Sequence, residues 1–262
     1  MFIRYEVADK IATITLNRPE AANAQTKELL DELDAAWTRA ERDDDVVVIL
    51  LRAEGKHFSA GHDLKDRSWP AEREKITLDW IYGTEARQYL GYSLRWRNVP
   101  KPSIAAVQGR CISGGLMLCW PCDLIVAAQD ALFSDPVAIM GIGGVEYHGH
   151  TWELGARKAK ELLFTGGALT AEQAERCGMV NTVVPRDQLD SEARALAAQI
   201  ARMPPFGLRQ AKRAVNQTLD VQGFYAAIQS VFDIHEVGHG NALSHTGYPV
   251  LARLDEMKAK IK

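Results

Sequence analysis

The stretch GRCISGGLML (109–118) contains a glycine-rich turn that leads from a buried-strand pattern into a short apolar helix, as in an α/β fold. A second stretch of this kind, GKHFSAGHDLK (55–65), also follows a strand-like run. The first N–H groups of a helix lack intrahelical partners and lie at the positive end of its dipole, so the N-terminus at Gly114 favours an anion or a developing oxyanion. If the Ala60 N–H faces the same point, Ala60 and Gly114 form an oxyanion hole. The alternative is that both stretches are ordinary tight turns.

The overall composition is that of a soluble globular protein. The 262 residues are 47% hydrophobic and 25% charged, with a net charge of −3, which disfavours a nucleic-acid or anionic-membrane partner. No uncharged apolar run approaches the length of a membrane span, and the first residues lack the pattern of a signal peptide. Four cysteines without an export signal are typical of reduced thiols, so we predict a cytoplasmic protein.

The order of elements predicts an α/β fold. Strand patterns cover 2–7, 11–16, 46–53, 103–109 and 123–128, and the third and fourth are apolar on both faces, as in the interior of a sheet. Thr26 can cap one helix, and Thr170 opens a capping box with Gln173. From Gln188 onward the pattern is helical, with predicted breaks at Pro204-Pro205, Gly223, Gly238 and Gly240.

Five motifs occur in the order and spacing typical of the crotonase (enoyl-CoA hydratase/isomerase) superfamily, which the chain resembles over about residues 1–190. They are LNRPEAANA (16–24), FSAGHDL (58–64), AVQGRCISGG (106–115), CDLIVAA (122–128) and LLFTGGALTAEQAERCGMVNTVVP (162–185).

The resemblance implies a spiral of repeated ββα units in a core (1–200) and a C-terminal helical trimerisation region (201–262), assembled as a homotrimer or a dimer of trimers. It also implies an acyl-CoA thioester substrate, with CoA part of that substrate and no separate cofactor. Ala60 and Gly114 fall on the two oxyanion-hole positions. The implied CoA- and substrate-binding residues are Ala22, Ala24, Phe58, Ala60, Gly61, His62, Asp63, Leu64, Gly114 and Gly115.

The chain departs from the family pattern where hydratases carry their two glutamates. Met117 and Val137 occupy those positions, and neither side chain can activate water or protonate the α-carbon. The segment MGIGGVEYHGHTWELG (140–155) is rich in polar groups and offers replacements. We predict Glu146 as base or nucleophile, with His148 or His150 as its proton partner.

His62 and Asp135 are further candidates for proton transfer, and the alternative is that the polar groups of 140–155 are exposed and bind water. The predicted chemistry is isomerisation, hydrolytic cleavage or an atypical hydration. A CoA-binding or assembly protein without catalysis is the main alternative. Six aromatic residues are candidates for an acyl pocket, although about half of them are expected in the core: Trp69, Trp80, Tyr82, Tyr89, Tyr92 and Trp96.

The stretch HEVGHGNALSH (235–245) has the spacing of a zinc hydrolase, with His235 and His239 one helical turn apart and His245 as a third ligand. Ala242 stands where the longer motif needs glycine, and Gly238 weakens the helix. We therefore predict that this stretch binds no metal. We predict that its histidines lie at the surface or between subunits.

The spacing of Cys119 and Cys122 resembles that of a redox pair. Both thiols are predicted to be inaccessible, because the stretch from Cys119 to Cys122 ends a short helix and leads directly into a buried strand.

Overall fold

The computed structural model describes residues 1–66 and 68–252. The helices in chain order are α1 (Lys27–Arg42), α2 (Leu78–Glu85), α3 (Gly91–Asn98), α4 (Leu116–Cys119), α5 (His150–Thr165), α6 (Ala171–Arg176), α7 (Leu189–Ala201), α8 (Pro205–Val221) and α9 (Phe224–Thr246). The strands are β1 (Ile3–Ala8), β2 (Ile11–Leu16), β3 (Val48–Ala53), β4 (Ser103–Val107), β5 (Arg110–Ile112), β6 (Leu124–Ala128), β7 (Leu132–Ser134), β8 (Ala168–Thr170) and β9 (Thr182–Val184).

Two sheets form the centre of the molecule. The larger has the order β1-β2-β3-β4-β6-β9 and is parallel except for the β1–β2 hairpin, whose register pairs Ala8 with Ile11. The smaller has the order β5-β7-β8. Every residue of β2 and β4 is buried, as expected when helices cover both faces of a parallel sheet. The α/β prediction is confirmed.

Helices α1 and α7 cover opposite faces of the larger sheet. The Thr26 side chain accepts a hydrogen bond from the Leu29 N–H and caps α1, whose apolar stripe, including Leu33 and Trp37, is buried. On the other face, α7 buries Ala193 and Ala197 in a separate cluster of apolar residues. The predicted capping box of α6 is also present.

The last third of the described chain is helical. The breaks at Pro204-Pro205 and Gly223 are confirmed, since α8 begins at Pro205 and α9 begins directly after Gly223. The breaks at Gly238 and Gly240 are wrong, because α9 runs through both. Residues 253–262 of the predicted oligomerisation region lie outside the described residues, as does Arg67.

Between α2 and α3 lies one π-helical turn (Ala86–Leu90), a rare irregularity that is frequent at functional sites. No helix in the described part of the chain is both long and apolar enough to cross a membrane.

Candidate functional site

The two glycine loops pack against each other, as the sequence predicts. Gly61 has φ +84°, and a Cβ added there would lie 2.7 Å from the Ile112 carbonyl oxygen and 3.2 Å from the Gly114 nitrogen. A Cβ added at Gly115 would lie 2.9 Å from the Ser59 carbonyl oxygen. Only glycine permits such contacts, so these positions allow the two backbones to touch.

The Gly114 N–H lies in the first turn of a short helix (Ser113–Gly115) that has no side-chain cap. No acceptor for it occurs in the described part of the chain, so it is available to donate to a bound oxygen. The prediction of Ala60 as the second donor is wrong, because the Ala60 N–H donates to the Ala22 carbonyl at 2.9 Å. This hydrogen bond closes the left-handed turn at Ala22 (φ +52°).

The N–H of His62 is placed differently. Gln25 pairs with the chain on either side of His62: its N–H donates to the Gly61 carbonyl, and its carbonyl accepts from the Asp63 N–H, each at 2.8 Å. The His62 N–H faces away from Gln25, as this parallel bridge requires. No acceptor for it occurs among the described residues, so it is the better candidate to act beside Gly114.

The His62 side chain is held over Gly114. Its Nε2–H donates to Glu146 at 3.1–3.2 Å, and its ring stacks on Tyr89 with centroids 4.0 Å apart. The Nδ1 atom is buried without a hydrogen-bond partner, and a Cβ added at Gly114 would lie 3.0 Å from it. Burial opposes the charged ring, but the Glu146 carboxylate more than offsets this and raises the pKa of His62. The arrangement leaves a free basic nitrogen beside the oxyanion site.

Gln25 also lies beside Gly114 and His62. Its Nε2 donates to the Gly114 carbonyl at 2.7 Å, and its buried Oε1 has no partner. Gln25 was not predicted from the sequence, and Tyr89 was predicted only as a candidate for the acyl pocket. Both become neighbours of His62 only in the folded chain.

Glu146 is buried, but its predicted proton partners are wrong. His150 Nε2 lies 2.9 Å from Asp135 Oδ2, and both side chains are fully buried. The same Asp135 oxygen accepts from the Val145 N–H at 2.8 Å. His148 packs on Gly144, where an added Cβ would lie 2.4 Å from its Cδ2. Glu146 therefore pairs with His62, and Asp135 pairs with His150.

Burial and the neighbouring His150 lower the pKa of His148 to about 4, which makes it neutral near pH 7. The two positions that carry glutamate in hydratases are buried and apolar: Met117 is 2% exposed and Val137 is 8% exposed. Neither position can supply a proton-transfer group.

A cleft of about 220 Å³ is lined by Trp69, Trp80 and Tyr89, and the ring of Tyr89 stacks on His62. It borders a more open cleft of about 670 Å³, with which it shares Lys27 and Ser68 and which Asp63 and Lys65 also line. Three of the predicted aromatic residues thus line a cavity. Of the others, Trp96 stacks on Trp37 in the core, Tyr92 donates to Asp31 and Tyr82 donates to Asp233.

The predicted CoA-binding residues lie in different environments. Phe58 is fully buried in the core, so its side chain is a packing residue and not a ligand contact. Asp63 forms an ion pair with Arg18 at 2.7 Å, and the same Arg18 nitrogen donates to the Ala24 carbonyl at 2.8 Å. Leu64 is 49% exposed. CoA contacts at Ala22, Ala24, Gly61, Asp63 and Leu64 stay predictions.

The predicted surface or intersubunit placement of His235 and His239 is wrong. Both are buried within the chain, and their Nε2 atoms lie close to the carboxylate of Glu85. His245 is exposed. A signal for Glu85 was present in the sequence, because it lies four residues after Ile81 and therefore on the same, buried face of α2.

Cys119 and Cys122 are buried, as predicted, and burial raises the pKa of both thiols well above the usual value. Redox chemistry at this pair is therefore disfavoured.

Comparison with known proteins agrees with the fold. Residues 6–236 match the model of the enoyl-CoA hydratase/isomerase family. The chain is similar to a solved structure described as a probable enoyl-CoA hydratase from Mycobacterium smegmatis, with 77% identity, a TM-score of 0.93, and coverage of 97% of this chain and 100% of that one. EchA13 of Mycobacterium tuberculosis is 44% identical over 94% of this chain and 83% of its own.

A further relative, the 1,2-epoxyphenylacetyl-CoA isomerase of Escherichia coli, is 35% identical over 84% of this chain and 86% of its own. The fold prediction of a crotonase-type α/β protein is confirmed by these matches. The chain belongs to the enoyl-CoA hydratase/isomerase family.

Proposed function

We propose that this protein is an acyl-CoA isomerase, in which His62 moves a proton along the acyl chain while backbone N–H groups stabilise the thioester enolate. The observation that carries the proposal is the free Nδ1 of His62 beside Gly114, with Nε2 held by Glu146. A base oriented by a carboxylate next to an oxyanion site is the combination that enolate chemistry needs.

The roles follow from the hydrogen bonds. The carboxylate of Glu146 accepts from Nε2, which leaves the lone pair on Nδ1. Nδ1 takes a proton from one carbon and returns it to another, while Glu146 orients the ring and stabilises the imidazolium. The Gly114 N–H, and with it the N–H of His62, bind the enolate oxygen.

Isomerisation is favoured over hydration because, among the described residues, the proton-transfer pair that lies against Gly114 is His62 with Glu146, while Asp135 is paired with His150. The usual hydration uses two carboxylates, and Met117 and Val137 replace both. A single base that both removes and returns a proton is sufficient for isomerisation. The similarity to an enzyme named as an isomerase adds support.

The substrate is an acyl-CoA whose acyl group reaches the cleft formed by Trp69, Trp80 and Tyr89. Its aromatic walls suit an unsaturated or aromatic acyl group, which can stack on them.

Incubation with enoyl-, dienoyl- and β-ketoacyl-CoA esters in D₂O tests the proposal, with products followed by mass spectrometry and NMR. We expect double-bond migration, deuterium incorporation and no added water. Rapid hydration of crotonyl-CoA would contradict isomerisation. Binding of CoA esters with neither turnover nor exchange would support a binding protein instead. His62→Gln should abolish the exchange, whereas His57→Gln, at the other end of the loop, should preserve it.

A further inference from the structure

The His235-Glu236-x-x-His239 motif plays no part in the proposed isomerisation, yet it lies inside the molecule. The two histidines project from consecutive turns of α9, and their Nε2 atoms are 3.1 Å apart. Glu85, from α2, places Oε2 3.1 Å from His235 Nε2 and 3.6 Å from His239 Nε2. Three side chains from two helices therefore converge on one buried point.

Both rings are fixed by backbone carbonyls. His235 Nδ1 lies 2.7 Å from the Gly144 carbonyl oxygen, and His239 Nδ1 lies 2.6 Å from that of Pro249. A carbonyl oxygen only accepts, so Nδ1 carries the proton in each ring and the neutral ring has its lone pair on Nε2. Metal-ligating histidines are oriented by this type of hydrogen bond.

Glycine makes the contact between α9 and the neighbouring loop possible. A Cβ added at Gly238 would lie 2.8 Å from the Gly141 carbonyl oxygen and 3.1 Å from the Ile142 Cα. Glycine at 238, which the sequence suggested would weaken the helix, therefore allows α9 to approach closely enough for His235 to reach Gly144.

Two nitrogen lone pairs and a carboxylate oxygen repel one another unless a positive charge lies between them. A proton on His235 Nε2 can be shared between Glu85 and His239, whereas a metal ion contacts all three atoms at once. Tetrahedral Zn²⁺, with bonds of about 2.0–2.1 Å to N and O ligands, places its ligand atoms about 3.3 Å apart. The separations of 3.1, 3.1 and 3.6 Å match that geometry.

The surrounding charge also favours a cation. Glu146 lies 3.7 Å from His235 Nε2, and the buried carboxyl of Glu236 has no hydrogen-bond partner. A divalent ion would offset the negative charge of the carboxylates of Glu85, Glu146 and Glu236 without a proton on Nε2 of either imidazole.

We propose that Glu85, His235 and His239 bind a divalent transition-metal ion of the zinc type. The ligand set is two imidazole nitrogens and one carboxylate oxygen, a combination that suits Zn²⁺. His245, the third ligand expected from the motif alone, is exposed, and Glu85 replaces it.

Metal binding by the full-length protein tests the proposal. The protein is purified without a metal column, dialysed against chelator, and titrated with Zn²⁺ or Co²⁺. We expect one ion per chain by elemental analysis and the visible absorption of four-coordinate Co²⁺. Less than stoichiometric binding by the wild type, or a six-coordinate Co²⁺ spectrum, would overturn the proposal and leave a shared proton as the occupant.

Variants then assign the ligands. Loss of a residue that only orients a metal ligand typically weakens binding about 10–100-fold, so His239→Gln and Glu85→Gln should each weaken it by about a hundredfold or more. His245→Gln, on the exposed end of the same helix, should leave the Kd unchanged. Circular dichroism identifies any variant that has unfolded. Unchanged affinity in folded Glu85→Gln and His239→Gln would also refute the assignment.

Discussion

Replacing Glu146 by glutamine removes the charge that supports His62 while keeping an oxygen that can accept from its Nε2. The carboxylate lies 3.1–3.2 Å from that nitrogen and is 3% exposed, so little solvent screens the pair. Its loss lowers the pKa of His62, because Glu146 is the main group that opposes the effect of burial. General acid–base catalysis typically contributes about 10²–10⁴ in rate.

We therefore expect kcat of Glu146→Gln to fall by about a hundredfold or more, which corresponds to about 2.7 kcal/mol of transition-state stabilisation. Affinity for CoA esters should stay within a few-fold, because Glu146 does not line either cleft. Turnover is followed by mass spectrometry and affinity by calorimetry. Glu153→Gln, the same change seven residues along the chain, serves as the control. Unchanged turnover in folded Glu146→Gln would remove Glu146 from the mechanism.

Three predictions concern stability. Burial raises the pKa of Glu153 to about 7, so its ionisation destabilises the fold as pH rises above about 4.3. Glu153→Gln should therefore raise the free energy of unfolding in urea by about 1–2 kcal/mol at pH 8, allowing for partial exposure of the side chain, and leave it unchanged at pH 4. Gly144 has φ +145° and contacts His148. Gly144→Ala should therefore lower the free energy of unfolding in urea by about 2–3 kcal/mol. An unchanged unfolding midpoint would contradict that contact. Burial raises the pKa of Asp135, but the partner His150 more than offsets this and lowers it. The ionised carboxylate therefore stabilises the fold above pH about 4, and this stabilisation is lost as pH falls. Asp135→Ala should lower the free energy of unfolding by about 3 kcal/mol at pH 7 and by less at pH 3.

Local patterns predicted the fold well. The sequence runs that form β3 and β4 are apolar on both faces, and Thr26 and Thr170 provide caps, so short-range rules were sufficient. Gly238 shows where such rules fail. Its helix-breaking tendency is overridden by close packing of α9 on Gly141, a contact between residues far apart in the sequence.

The site was predicted less completely for the same reason. The meeting of the two glycine loops followed from their similar position after buried strands. The second N–H donor of the oxyanion hole could not be identified from the sequence, because it depends on which N–H groups already form hydrogen bonds in the folded chain. The Ala60 N–H donates to the Ala22 carbonyl, a contact that appears only in the folded chain. The role of Glu146 as base or nucleophile stays a prediction. The side chain is buried, and its partner His62 is 84 residues distant in the sequence.

A crystal structure with an unreactive acyl-CoA analogue would show directly whether Gly114 and His62 act on the thioester as proposed. We expect the thioester oxygen about 2.7–3.1 Å from the Gly114 nitrogen, with His62 Nδ1 facing the acyl carbons and Glu146 still hydrogen-bonded to Nε2. A thioester oxygen placed away from Gly114, or a different side chain facing the acyl carbons, would contradict the proposal.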